Sequence, residues 1–209
     1  MKKILLILTI FLTLEIYGQD AVRINHLNYT TVFSKSLKYP ILVEWWETRA
    51  KNCSNPLPRK DQFQKDPQLP EETDLTKDYR GSGTDKGHMC PAASNECLGD
   101  KVLTECFYFS NMAPQYHQLN AGDWEKLEKL TRQMAIENDS VHVWAGSVGV
   151  VNKFKRLSIP EKCWKVIYTV KTKQFKAYIF DNTKDKSTGL PAHEVGLNEI
   201  KGLTGLKIF

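Results

Sequence analysis

The chain lacks the long apolar run that a membrane-spanning helix requires, because no stretch approaches about 18 consecutive apolar residues. A multi-pass membrane protein is therefore excluded. Internal repeats and low-complexity tracts are also missing. Neither sign of charge dominates: 29 Lys and Arg residues stand against 24 Asp and Glu residues, and the net charge of +5 is compatible with an anionic partner without indicating one. With 41% hydrophobic residues among 209, the chain fits a single globular domain, with or without a tail.

The first residues have the features of a secretory signal peptide. Two lysines at positions 2–3 precede an apolar run over residues 4–14, and Gly18 is a small residue suited to the position before a cleavage site. The pattern predicts a signal peptide over residues 1–18, a mature domain over residues 19–209, and export to a periplasm or to the medium. The alternative is an amphipathic helix that belongs to the domain.

Cysteine usage fits an oxidising compartment but leaves the pairing open. Five cysteines allow up to two disulfides with one thiol left over, and their spacing does not fix the connectivity. A zinc site is the alternative, because three of them lie close to His88, although no Cys-x-x-Cys pair is present. The five are Cys53, Cys90, Cys97, Cys106 and Cys163.

Strand and helix patterns alternate without a regular βαβ order, which predicts an α+β fold. Apolar runs predict strands over residues 39–46, 104–110, 141–147, 164–170 and 175–180, the last two as a hairpin. Helices are predicted over residues 121–138, where apolar side chains recur every three or four positions, and over residues 195–203. The proline-rich residues 52–80 predict an extended surface loop.

The segment Asp85-Lys86-Gly87-His88 contains the best candidate for a proton acceptor. Histidine takes a proton from water near neutral pH, and the glycine before it allows the backbone to approach a ligand closely. The alternative is a structural or surface histidine.

A second candidate, Asn120, stands at the head of the predicted helix. Asparagine is favoured as a helix N-cap, but its amide oxygen is also a suitable ligand for Mg²⁺. On the helix itself, Glu128 and Arg132 share a flank with Asn120, and the alternative for these two is a surface ion pair. Together with His88, these groups supply what a phosphodiester hydrolase needs: a base, a metal ligand and cations.

These segments resemble the DNA/RNA non-specific endonuclease family of the ββα-metal (His-Me finger) superfamily. The family motifs Asp-Arg-Gly-His, Ser-Asn-(Met/Ile)-x-Pro-Gln and Asn followed by Trp-x-x-Leu-Glu read here DKGH, SNMAPQ and LNAGDWEKLEKLTR. The upstream NPLPRKDQFQKDPQLP and the final NEIKGLTGLKIF are similar to further family segments. The resemblance covers residues 39–209 and implies a mixed or antiparallel central sheet, flanking helices and a ββα-metal finger.

The resemblance also implies roles for the site residues. His88 matches the general base, Asn120 the direct Mg²⁺ ligand, and Glu128 the acid that holds the metal through water. The supporting and charge-bearing positions are matched by Asn111, which orients the histidine, Asp85, which braces the finger, and the cations Arg59 and Arg132 near the phosphate. Lys86 stands where the family has Arg, so the charge remains but the planar fork is lost.

The activity that the resemblance implies is Mg²⁺-dependent hydrolysis of phosphodiester bonds in DNA and RNA, largely without sequence preference, giving 5′-phosphate ends. Mn²⁺ is the alternative ion. No membrane partner is expected after signal cleavage, and the oligomeric state is left open.

Two other functions are considered. A weakened family member would bind nucleic acid without cutting it, and an exported cysteine-rich module would bind zinc. Lys153, Lys155 and Arg156 either extend a basic track or form a solvated surface.

Overall fold

The computed structural model describes residues 20–206, so the predicted signal peptide and its cleavage point lie outside the described residues. The strands are β1 (Ala21–Asn25), β2 (Tyr29–Ser34), β3 (Tyr39–Thr48), β4 (Asp85–His88), β5 (Met112–Gln115), β6 (Ser140–Val148), β7 (Asn152–Phe154), β8 (Leu157–Ile159), β9 (Lys162–Thr169), β10 (Gln174–Asp181) and β11 (Glu194–Val195). The helices are α1 (Pro70–Thr73), α2 (Thr76–Tyr79), α3 (Asp100–Cys106), α4 (Glu125–Asn138) and α5 (Leu197–Thr204). A π-helical turn, Leu119–Trp124, leads into α4.

Seven strands form a sheet in the order β1-β2-β3-β6-β9-β10-β11, and every neighbouring pair is antiparallel. The central strands β3 and β9 are almost entirely buried, which explains why they read as continuous apolar runs in the sequence. Their side chains belong to the main hydrophobic core, together with the buried face of α4. The predicted strands at residues 39–46, 141–147, 164–170 and 175–180, including the hairpin, are confirmed.

Between the neighbouring strands β3 and β6 the chain leaves the sheet, and this segment carries the predicted site residues. Residues 49–139 form this excursion, and its ends meet because the Arg49 amide donates a hydrogen bond to the Asp139 carbonyl at 2.9 Å. The Arg49 guanidinium also pairs with the Asp139 carboxylate at 3.0 Å.

Within the excursion, β4 and β5 form a short antiparallel pair that the π-helical turn and α4 follow, which is a ββα arrangement. Gly87 lies opposite Ala113 in this pair, and the Gln115 side chain packs directly on it. A Cβ atom at position 87 would lie 1.9 Å from Gln115 Oε1, so only glycine fits beneath this side chain.

Two sequence predictions in this region are corrected. The strand predicted over residues 104–110 is wrong: α3 ends at Cys106, and a 3₁₀ turn follows over Phe109–Asn111. Leu103, Cys106 and Phe107 pack into one cluster at helical spacing, and this burial outweighs the strand propensity of the aromatic residues. The loop predicted over residues 52–80 is largely extended but contains the short helices α1 and α2.

One disulfide, Cys53–Cys97, joins the start of the proline-rich loop to the segment before α3. Cys90, Cys106 and Cys163 are buried free thiols. The zinc alternative fails because Cys97 is in the disulfide, and no group of three or more metal-type side chains occurs among residues 20–206. In the same part of the chain, no helix has the length and apolar character needed to cross a bilayer.

Candidate active site

A cleft of about 360 Å³ lies where β4, the π-helical turn and α4 meet. Most of the predicted site residues line it, and small residues form the rest of its wall. The predicted residues in the cleft are Arg59, Lys86, His88, Asn120, Glu128 and Arg132, and the others are Pro91, Ala92, Ala93, Ala121 and Glu125. Asp85 and Asn111, which were also predicted, do not line the cleft and lie behind it.

His88, at the end of β4, is held in place by its ring and by its backbone. The imidazole is 8% exposed and lies between the rings of Phe63 and Phe107, at centroid distances of 5.7 and 5.1 Å. The Trp124 indole N–H donates a hydrogen bond to the His88 carbonyl at 3.0 Å. Within the described part of the chain, the His88 Nε2 atom has no hydrogen-bond partner. His88 lines the cleft, but this nitrogen is itself buried, so the imidazole reaches a substrate or a water molecule through the part of the ring that faces the cleft.

Burial, assisted by the nearby Arg59 cation and opposed by Asp61, lowers the pKa of His88 from its ordinary value of 6.5 to about 3. The imidazole is thus neutral at physiological pH. A neutral imidazole can accept a proton, which a general base must do.

Asn120 lies in the π-helical turn, and its side chain does not cap α4. The cap interpretation is wrong because the amide nitrogen donates a hydrogen bond to Asp85 Oδ2 at 2.9 Å instead. The same carboxylate oxygen contacts His117 Nδ1 at 2.8 Å. With its nitrogen directed at Asp85, Asn120 can offer its amide oxygen, the acceptor of the group, to a cation in the cleft. Asp85 therefore acts on the candidate metal ligand from behind.

Glu128 and Arg132 occupy successive turns of α4 and both line the cleft. They make no ion pair with each other among the described residues, so the surface-pair interpretation is wrong. Burial raises the pKa of the half-buried Glu128, whereas Lys165, Arg132 and Arg59 act to lower it. A cation in the cleft would stabilise the charged carboxylate further.

Two further cations reach the cleft from opposite sides. The Lys86 ammonium lies 4.7 Å from the Phe63 ring centroid and 5.8 Å from that of Tyr79. The Arg59 guanidinium lies 5.9 Å from the Phe107 centroid and pairs with Asp61 at 2.7 Å. Both charges therefore rest on aromatic rings that also surround the candidate base.

Asn111 is completely buried and supports the segment that follows His88. Its amide oxygen accepts a hydrogen bond from the Cys90 amide at 2.9 Å, and its nitrogen donates to the carbonyls of Cys90 and Cys106 at 2.9 and 2.8 Å. It acts on His88 through the backbone, two residues away.

The turn that carries Asn120 is tied to the C-terminal part of the chain by the buried Asp123. This carboxylate accepts hydrogen bonds from both side chains and backbone amides. Its partners are Lys126 Nζ at 3.0 Å, the Ser187 hydroxyl, the amides of Thr188 and Gly189 at 3.0 Å each, and His193 Nε2 at 3.3 Å. These contacts, led by the Ser187 hydroxyl, hold the pKa of Asp123 well below its usual range, although burial alone would raise it.

Sequence reasoning missed the supporting roles of Trp124, Gln115 and Asp123. Trp124 was predicted only as part of the apolar stripe of the helix. Its bond to the His88 carbonyl joins residues far apart in the chain, and no local pattern indicates it. The one available signal was Gly87, whose lack of a side chain indicates close contact with another group.

The donor set in the cleft fits a hydrated divalent cation. It combines one amide oxygen, from Asn120, with one carboxylate, from Glu128, and hard oxygen ligands of this kind suit Mg²⁺, which keeps several of its waters.

Comparison with known proteins identifies relatives over most of the chain. The sequence profile of DNA/RNA non-specific endonucleases matches residues 12–209. The mitochondrial nuclease EXOG of Xenopus laevis is 25% identical over 207 residues, which cover 88% of this chain and 57% of that protein. The nuclease of Serratia marcescens is 28% identical over 208 residues, which cover 92% of this chain and 76% of that protein. The chain thus spans little more than half the length of the frog nuclease.

A solved structure supports the same grouping. This chain superposes on a chain of the crystal structure of the EndoG/EndoGI complex, which describes the mechanism of EndoG inhibition. The TM-score is 0.78 at 25% sequence identity, and the match covers 95% of this chain and 90% of that chain. The predicted α+β fold, with an antiparallel central sheet, flanking helices and a ββα-metal finger, is confirmed.

Proposed function

Because the chain belongs to the DNA/RNA non-specific endonuclease family, we propose that it is an exported, Mg²⁺-dependent endonuclease. It hydrolyses phosphodiester bonds within DNA and RNA and leaves 5′-phosphate ends. Members of the family use a divalent metal ion. Mg²⁺ is the proposed ion, and Mn²⁺ is the alternative.

The observation that carries this proposal is the convergence of complementary groups in one cleft. A neutral imidazole, an amide oxygen and a carboxylate lie together with three cationic side chains. Each is a group that phosphodiester hydrolysis uses, and a purely structural cluster has no need for all of them.

In the proposed reaction, the His88 imidazole accepts a proton from the water that attacks phosphorus. Asn120 holds the metal directly, and Glu128 holds its water ligands. When bound, the divalent ion stabilises charge on the leaving 3′ oxygen. Arg59, Lys86 and Arg132 offset the charge of the phosphate during attack.

The proposed lack of sequence preference follows from the chemistry of the cleft. The phosphate group is identical at every nucleotide. Cations that bind it therefore position the strand without reading its bases. The same contacts are available in DNA and in RNA.

Export is supported by two independent features. The signal-peptide pattern over residues 1–18 directs a chain out of the cytosol. The Cys53–Cys97 disulfide joins two segments of the mature chain and is stable in an oxidising compartment.

The proposal is tested by nicking of supercoiled plasmid by the purified mature chain, with Mg²⁺ and with EDTA. We expect cleavage that needs the metal and that falls by at least about 100-fold in His88→Ala, because the variant lacks the proton acceptor. His142→Ala is the matched control, since this histidine stacks on Trp46 at 4.2 Å and lines a different cavity.

Undiminished cleavage by folded His88→Ala would contradict the proposal. A wild-type chain that binds DNA but never cuts it would favour the binding-only alternative, which depends on Lys86. Lys86→Arg would then show whether a planar guanidinium over Phe63 and Tyr79 restores cleavage.

A further inference from the structure

A lysine is fully buried within the seven-stranded sheet. Lys165 lies on β9 between Ala145 of β6 and Tyr178 of β10, and none of it is exposed. Among residues 20–206, its ammonium has no hydrogen-bond partner. It lies 4.2 Å from the ring centroid of Trp124 and 5.6 Å from that of Trp45. Burial of an unpaired charge is costly, so the position demands an explanation beyond packing.

The charged groups around Lys165 belong to the candidate active site. Glu128 is the strongest favourable charge acting on it, and Arg132 opposes it. In return, Lys165 is the cation that acts most strongly on Glu128, ahead of Arg132 and Arg59. Burial lowers the pKa of Lys165 to about 8, so the amine is mostly protonated at neutral pH.

Lys165 also contacts the residue that fixes the candidate base. The Trp124 ring that receives the ammonium on its face donates its indole N–H to the His88 carbonyl at 3.0 Å. One buried cation thus acts electrostatically on the carboxylate of α4 and lies against the Trp124 ring that clamps β4.

We propose that Lys165 is a positioning residue of the nuclease site, a buried cation that supports the Trp124 clamp on His88 and holds the Glu128 carboxylate in place by charge attraction. The inference rests on the proposed function, since it assigns Lys165 to the same reaction. The lysine touches neither substrate nor metal and acts through these two neighbours.

The first test is Lys165→Met, which keeps the length of the side chain and removes its charge. We expect the midpoint of thermal unfolding to stay level or rise, because an unpaired buried charge has been removed. We expect kcat for plasmid nicking to fall by about tenfold or more, as for other groups that orient metal-binding residues. KM should stay within about twofold, because the cations that face the substrate are unchanged.

Two further readouts separate positioning from a merely structural role. Binding of Mn²⁺, followed by electron paramagnetic resonance without substrate, should weaken by about tenfold in Lys165→Met. In a double-mutant cycle with Glu128→Gln, the effect of Lys165→Met on kcat should shrink markedly, because the carboxylate it positions is already gone. Lys171→Met, in the exposed turn between β9 and β10, is the control and should behave as wild type.

The outcomes are distinguishable from failure of the proposed function. If wild type nicks DNA and Lys165→Met has unchanged kcat and Mn²⁺ affinity, Lys165 has no positioning role although the nuclease proposal stands. An equal loss of kcat in the wild-type and Glu128→Gln backgrounds would also overturn the inference. Lys165→Gln serves as a second variant, and failure of both to fold would assign the lysine to stability alone.

Discussion

Burial gives His88 two properties at the scale of a single residue. It excludes the imidazolium, which keeps the base ready to accept a proton, and it makes the folded state unable to take up a proton that the unfolded chain binds readily. The first property serves the proposed chemistry. The second has a cost, which appears as a dependence of stability on pH.

The folded-state pKa of His88 is depressed to about 3 from 6.5, so its contribution to stability is lost as pH falls from 6.5 towards 3. In that window the unfolded chain binds one proton more than the folded chain, which lowers the free energy of unfolding by about 1 kcal/mol per pH unit. Urea unfolding of wild type and His88→Ala between pH 7 and about pH 5 measures this term. As pH falls, the free energy of unfolding of wild type should decrease relative to that of His88→Ala. Parallel curves of unfolding free energy against pH would contradict the prediction.

At the scale of elements, the π-helical turn is the least regular part of the site and the most heavily braced. It presents Asn120 to the cleft, and Asp123 three residues later bonds the segment that follows β10. The position of the candidate metal ligand therefore depends on a loop from the far end of the chain.

Asp123→Asn should destabilise the protein by about 2–3 kcal/mol, because an amide cannot replace a buried carboxylate that accepts several hydrogen bonds. We also expect slower nicking and faster proteolysis within residues 183–193. Urea unfolding, plasmid nicking and limited proteolysis measure these effects. Asp185→Asn, an exposed change in the same loop, is the control, and equal behaviour of the two variants would show that Asp123 braces nothing.

The elements that the sequence predicts best are those in which local pattern and burial agree. The central strands are mostly apolar, and α4 carries its apolar residues at helical spacing. The strand predicted over residues 104–110 failed because tertiary packing used Leu103 and Cys106 as a helical face. The cap alternative for Asn120 failed because its side chain bonds Asp85, which lies in another element. The resemblance brought the cleft residues together, whereas Lys165 and Trp124 depend on contacts between distant segments that no local pattern contains.

For the whole molecule, the net charge of +5 includes cations that are engaged within the protein. Lys155 donates hydrogen bonds to the carbonyls of Lys77 and Arg80 at 2.6 and 3.1 Å. Arg156 pairs with Asp78 at 2.8 Å, and this clamp holds α2 in place. Both side chains are engaged within the protein, so the basic-track interpretation has little support from them.

Cleavage should therefore depend only moderately on salt. With Arg59, Lys86 and Arg132 as the cations that meet phosphate, a plot of log kcat/KM against log salt on duplex DNA should have a slope of about −3. Lys155→Met should leave this slope unchanged. A slope twice as steep, or one that Lys155→Met flattens, would indicate an extended phosphate track.

The excursion over residues 49–139 affects how the sequence of such a protein can change during evolution. All eleven cleft residues lie inside it, and it starts and finishes at one hydrogen-bonded point, between Arg49 and Asp139. Insertions and deletions in the loops of this segment leave the pairing of β3 with β6 untouched. The segment still depends on the rest of the molecule, because α4 packs in the main core, Asp123 bonds the loop after β10, and the sheet supplies Lys165. A transplanted excursion would work fully only on a sheet that offers a cation at the same place.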